Sequence, residues 1–259
     1  MIKYFVVVVF LSLAFVQVVR ADFQKAREDF RLQLENYVKV HQEYVLAKTK
    51  FKQFKTLPSE TEAFATLKKV QSLRSQVLSA YFSVLREKLG ETPQISDEVR
   101  NNLNQELNLI RTYLADFNLR VGNLKNVTEA ESLSAEFEAK KVEWQNASTK
   151  VRGVIFTSNL QDISARLSKL IENTENTIQD YQVLLDFELR VEKLQAAKNK
   201  NAQAKELASQ ARNSFLAINP NLHSFELFRL ESDARQNGES AKKLLTEALI
   251  AVTEAARGL

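Results

Sequence analysis

The 259 residues contain no cysteine, 3 prolines, 5 glycines and 2 histidines. Without cysteine there are no disulfides, no thiol nucleophile and no Cys-ligated zinc or iron–sulfur site. His41 and His223 are far apart and make a His-rich metal site a poor expectation. No two glycines lie within ten residues of each other, so no glycine-rich phosphate loop exists. Neither a Gly-x-Ser-x-Gly elbow nor a His-Glu-x-x-His pair occurs. The carboxylates are interleaved with Lys and Arg on polar faces. The chain is therefore expected not to be an enzyme and to need no cofactor or metal.

The scarcity of glycine and proline carries a second message. Average chains hold roughly 7% Gly and 5% Pro, and these residues supply tight turns and breaks. A chain this long with 5 and 3 of them has few turns, hence long elements. Leu, Ala, Glu, Lys, Gln and Asn dominate, mostly good helix formers. The expectation is an all-α fold of five or six long amphipathic helices, packed as an antiparallel, coiled-coil-like bundle.

The formal charge of +4 overstates the basicity. Lys3 and Arg20 lie in residues 1–21, which hold no acid; without them 34 basic and 32 acidic side chains remain, a net of +2. No strong field for nucleic acid follows. Residues 1–21 read as a secretory signal peptide: Lys3, an apolar run, then Val19 and Ala21 at the positions before cleavage. The competing reading is an uncleaved anchor, although the apolar stretch Tyr4–Val19 is 16 residues and includes Gln17, against the ~20 of a spanning helix. Either way the rest of the chain is expected outside the cytoplasm, secreted or at the cell surface.

The first helix is predicted over about Asp22–Thr56, with an aromatic at every seventh position: Phe23, Phe30, Tyr37, Tyr44 and Phe51. Ala26, Leu34, Val40, Ala47 and Phe54 widen the stripe. A strict seven-residue repeat keeps one seam toward a partner helix. Leu57-Pro58 ends it, and Ser59 with Glu62 reads as a capping box for a second helix to about Leu89, closed by Gly90. Ser96 or Asp97 caps a third helix to about Val121, with Val99, Leu103, Leu107, Ile110, Leu114, Phe117 and Val121 on one face. These three are expected to form an antiparallel bundle over 22–121.

Thr128 with Glu131 reads as the next capping box, opening a long-helix region over 129–259. Gly153 marks a bend there, and a break near Asn173–Thr177 leaves open one helix or two over 129–200. Residues 196–213, rich in Ala, Lys, Asn and Gln, are expected to be exposed. Asn219-Pro220 breaks the chain before a final helix over about 222–257.

Three readings of the aromatic stripe compete: a bundle core, a dimer seam, or a face that opens onto lipid. Core is favoured, since an apolar helical stripe ordinarily faces a core. The lysines Lys39, Lys48, Lys50, Lys52 and Lys55 fit either a lipid headgroup or the C-terminal helix dipole. His41, between Tyr37 and Tyr44, is the candidate pH-sensitive or ligand-contacting position; the plainer reading is a seam-edge histidine. Asn126-Val-Thr128 and Asn146-Ala-Ser148 match the glycosylation acceptor pattern.

The stretch Tyr37-Val-Lys-Val-His41-Gln-Glu-Tyr44-Val-Leu-Ala-Lys48, then Lys55-Thr-Leu and Leu85-Arg-Glu-Lys-Leu89, resembles uncharacterised exported helical proteins of uncultured small-genome bacteria. The resemblance covers about residues 22–90 and implies a bacterial secreted or surface setting, with no activity attached. In type alone the chain is also similar to exchangeable apolipoproteins. The resulting expectation is an extracytoplasmic scaffold, spacer or protein-binding module, with a protein partner or self-association. A lipid or amphiphile carrier is the alternative, and a small-ligand-sensing bundle a third.

Overall fold

The computed structural model describes residues 21–180 and 186–257. The expected signal peptide lies outside them, apart from Ala21. The helices are α1 (Ala21–Phe54), α2 (Leu57–Glu91), α3 (Asp97–Gly122), α4 (Val127–Ala139), α5 (Lys141–Asp180), α6 (Phe187–Leu216) and α7 (Ser224–Ala256). There is no strand among the described residues. The fold is all-α. Taking α4 and α5 as one element interrupted by the single turn at Lys140 gives six. No described helix is long and apolar enough to cross a membrane.

Helix ends follow local chemistry, with some corrections to the sequence reading. Lys55 ends α1 at φ 51°, a left-handed cap that a non-glycine residue adopts only occasionally. The expected box of Ser59 and Glu62 is replaced by one three residues earlier, between Thr56 and Ser59. The Thr56 amide donates to Ser59 Oγ at 3.2 Å, and Ser59 Oγ–H donates to the Thr56 carbonyl at 2.8 Å. Pro58 consequently sits in the first turn of α2, where a missing amide hydrogen costs nothing. Gly90 does not close α2, which runs on to Glu91. Ser96 caps α3, accepting from the Val99 amide at 3.4 Å. The expected box of Thr128 and Glu131 is replaced by Asn126 and Glu129: Asn126 Oδ1 accepts from the Glu129 amide at 2.9 Å, and Glu129 Oε2 accepts from the Lys125 amide at 2.9 Å.

Two compact units divide the chain. The first gathers α1, α2 and Tyr113–Ala130; the second gathers Thr92–Thr112 and the chain from Glu131 onward. α3 thus contributes its first half to one unit and its second half to the other. In the first unit α1 and α2 pair antiparallel, with Lys88 over Phe23 at 5.0 Å, Phe30 against Tyr81 at 5.8 Å and Lys50 bonded to Glu62 at 3.3 Å. On α2, Lys68 Nζ donates to the carbonyls of Gly122 and Leu124 at 2.9 and 3.1 Å, a cation on the C-terminal end of α3. Ser72 Oγ donates to Asn118 at 2.6 Å.

The second unit is built on α5, α6 and α7. On α6 the buried residues are Arg190, Leu194, Ala197, Asn201, Ala204, Ala208, Ala211 and Phe215, spaced strictly by four and three. On α7 they are Ala234, Gly238, Ala241, Leu245, Ala248, Val252 and Ala255, with the same spacing. These are heptad seams made largely of alanine, which lets helix backbones approach toward the short end of the ~8–10 Å range. The expectation that 196–213 is exposed is therefore overturned: Ala197, Ala204 and Ala211 have no solvent-accessible surface, and Ala208 has 1%. The opposite face of that stretch, with Ala196, Asn199, Gln203, Lys205, Glu206 and Gln210, meets water.

α5 runs unbroken through Gly153 and Asn173–Thr177 to Asp180, so the break does not fall there. Gly153 serves another purpose. The ring of Phe215 on α6 lies against it so closely that a Cβ would sit 2.1 Å from Cγ and Cδ1. Gly238 on α7 receives Phe156 of α5 in the same way, with Cε1 2.5 Å from a built Cβ. Each glycine is the hole for a neighbouring aromatic knob.

Candidate functional site

The heptad stripe of α1 places Phe23, Phe30, Tyr37, Tyr44 and Phe51 along the helix face toward α2, each half-buried. Ala26, Gln33, Val40 and Ala47 interleave with them, and Ala47 is fully covered. Seven-residue spacing with intermediate positions three and four apart is the pattern of one helix seam. Of the residues expected to widen that stripe, Leu34 lies one position beyond it and is 39% exposed, and Phe54 continues its spacing at the helix end but is 60% exposed. His41 stands exposed beside the seam, its ring 5.6 Å from that of Tyr37. Of the five aromatics, Phe23 meets Lys88 and Phe30 meets Tyr81 of α2, and His41 stands at the seam's edge.

Among the described residues no group of three or more His, Asp or Glu side chains gathers in a way that would hold a metal ion. Two amide side chains buried in the second unit tie helix to helix and helix to loop. Asn201 of α6 accepts from Ser164 Oγ at 2.9 Å and donates to Ser168 Oγ at 2.8 Å and to the Ser164 carbonyl at 3.2 Å. A buried amide so bonded between two helices fixes their register. Asn146 is buried, with Nδ2 facing the carbonyls of Asn219 and Pro220 at 3.1 Å and Leu222 at 3.3 Å. It holds the loop before α7, whereas Asn126 stands exposed as the cap of α4.

Ionic contacts tie helix ends and flanks. Arg190, 8% exposed, donates to the Ala255 carbonyl at 2.7 Å and pairs with Asp186 at 2.8 Å. A guanidinium on the last turn of α7 offsets the negative end of that helix. The hydrogen bond from Arg190, with its charge, holds the Asp186 carboxyl below its ordinary range. Lys200 on α6 does the same to Glu247 on α7, chiefly by a direct hydrogen bond. Lys150 of α5 pairs with Glu106 of α3 at 2.6 Å within the second unit.

Sequence reasoning did not single out Asn201, Arg190 or the alanine seams. The signal was present as strict four-three spacing from Arg190 to Phe215, but alanine adds little to a hydrophobic count. No family model matches the chain, and neither a curated protein nor a solved structure matches it.

Proposed function

We propose that the chain is a non-enzymatic, extracytoplasmic helical scaffold or protein-binding module. The observation that carries this reading is how the second unit spends its buried side chains. Asn201 locks register, Arg190 closes a helix end, and Gly153 and Gly238 accept aromatic knobs. Chemistry of that kind holds helices at fixed positions and presents their charged outer faces. The placement outside the cytoplasm rests on the signal-peptide pattern of residues 1–21.

A lipid or amphiphile carrier is the second reading, and one observation favours it. The aromatic stripe of α1 is half-buried, in contrast to the closed seam of α6 and α7, so α1 is the helix that would swing out onto lipid. The test mixes residues 22–259 with neutral and anionic vesicles and follows flotation, helicity and in-line mass. The scaffold reading expects the protein to stay off both vesicles with unchanged helicity. Co-flotation with a change in helicity replaces it by the carrier reading.

A further inference from the structure

On α1 the helix face next to the aromatic seam carries a second line of residues with its own four-three spacing. Its middle is aliphatic: Leu34, Val38 and Val45 are 39%, 49% and 47% exposed, with exposed His41 among them. Its two ends are basic: Arg27 and Arg31 toward the N-terminus, Lys48 and Lys52 toward the C-terminus, all exposed. From Arg27 to Lys52 the line is roughly 40 Å long. No acid lies on it. Glu28 and Glu35 fall on the next row outward, where Arg31 pairs with Glu35 at 3.7 Å, both side chains exposed. Asp29 and Glu43 fall on the far side of the aromatic seam.

We propose that this line is a docking seam for one amphipathic helix of a partner protein, apolar at its centre and acidic at both ends. The inference rests on the protein-binding reading and names the surface and the partner's chemistry. Three arguments select this occupant. A residue pattern one side chain wide at four-three spacing is what a single helix reads. A membrane-lying helix presents an apolar face of ~100° or more, and three aliphatic residues do not make one. A second copy of the chain is opposed by charge: laid antiparallel, Arg27 and Arg31 meet Lys48 and Lys52, and laid parallel each basic residue meets itself. Acidic ends on the partner satisfy all four cations at once.

The test uses the full chain and two labelled helical peptides of about the line's length, each with leucine at central seam positions. One has glutamate at the seam positions of both ends and the other has lysine. Fluorescence anisotropy is expected to show binding of the glutamate-ended peptide, weakening as salt rises. In the variant Arg27→Glu/Arg31→Glu/Lys48→Glu/Lys52→Glu that affinity is expected to fall about tenfold or more, and the lysine-ended peptide to bind instead. Circular dichroism checks that the variant keeps its helices; if it does not, Val38→Asp, at a half-exposed position, is expected to abolish the same binding. Equal affinity for both peptides, binding of neither, or loss-free charge reversal overturns the proposal. So does capture of phosphatidylglycerol vesicles that the reversal abolishes while the glutamate-ended peptide does not bind. A cross-linked protein partner that survives charge reversal removes this seam yet leaves the scaffold reading standing.

Discussion

Gly153→Ala should destabilise the second unit, although helix propensity taken alone says the reverse. In an open helix interior, alanine is favoured over glycine by about 1 kcal/mol. At Gly153 the new methyl would lie 2.1 Å from two ring atoms of Phe215 and 2.5 Å from a third, against the ~3.5–4.0 Å of ordinary carbon contact. The ring must retreat by more than about 1 Å. Phe215 is 4% exposed and sits at the end of a closed seam, so it has nowhere to go without moving α6. Overpacking of this kind costs about 1–3 kcal/mol. Set against the propensity gain, the net loss is about 0–2 kcal/mol. The chain's single tryptophan, Trp144, is buried against Phe137 in the second unit, ring centroids 4.8 Å apart. Its fluorescence in a urea titration reads that unit selectively. Gly90→Ala, with nothing within 4 Å of a Cβ, is the open-helix counterpart in the first unit; followed by far-ultraviolet circular dichroism, it should be neutral or stabilising. Pairing Gly153→Ala with Phe215→Leu should recover part of the loss. A Gly153→Ala protein whose second unit is more stable than that of the parent chain would refute the knob-and-hole account of this helix pair.

Other consequences are open to measurement. Asn201→Ala should cost about 1–3 kcal/mol in the same titration, since it strips buried Ser164 and its exposed neighbour Ser168 of their amide partner. Ala204→Leu should lower the thermal midpoint by an overpacking loss of about 1–3 kcal/mol, although leucine is both a good helix former and more apolar; a rise would mean that this face is not the core. The Asp186 carboxyl is held low in the folded chain by Arg190. Its stabilisation is therefore present above the ordinary carboxylate range and is lost as pH falls through the lowered folded value. Asp186→Asn should flatten that part of the acid limb in a thermal-shift series, and an unchanged acid limb would remove the pair from the account. Tyr37→Ala on the half-buried seam should cost less than the ~3–5 kcal/mol of a fully buried aromatic, and a loss of that full size would mean the seam is closed.

What could be read in the residues divides by side-chain size. The aromatics of α1 recur every seven positions and declare a seam by themselves, and the aliphatic line of α3 from Val99 to Val121 does so too. The seams of α6 and α7 use the same spacing, but through alanine, whose methyl is equally at home in water and in a core. Composition therefore misreads 196–213 as surface, while burial places four of its alanines at 0–1% exposure. Gly153 failed for a related reason: a lone glycine in a helix weighs as a flaw in propensity, and only Phe215 across the interface gives it a purpose. The basic-ended line on α1 was visible as residues, yet its meaning depends on which face α2 covers. The caps at Thr56 and Asn126 show a two- or three-residue slip in helix starts, where neighbouring Ser, Thr and Asn side chains compete for the same amides.

The most direct test of the central claim is hydrogen exchange on residues 22–259, with and without anionic vesicles. The scaffold account predicts that amides of α1 from Tyr37 to Phe51, and of the α2 turns that face them, keep their protection when vesicles are added. Loss of protection along α2 with new, lipid-dependent protection on α1 would contradict it and show a hairpin that opens onto lipid.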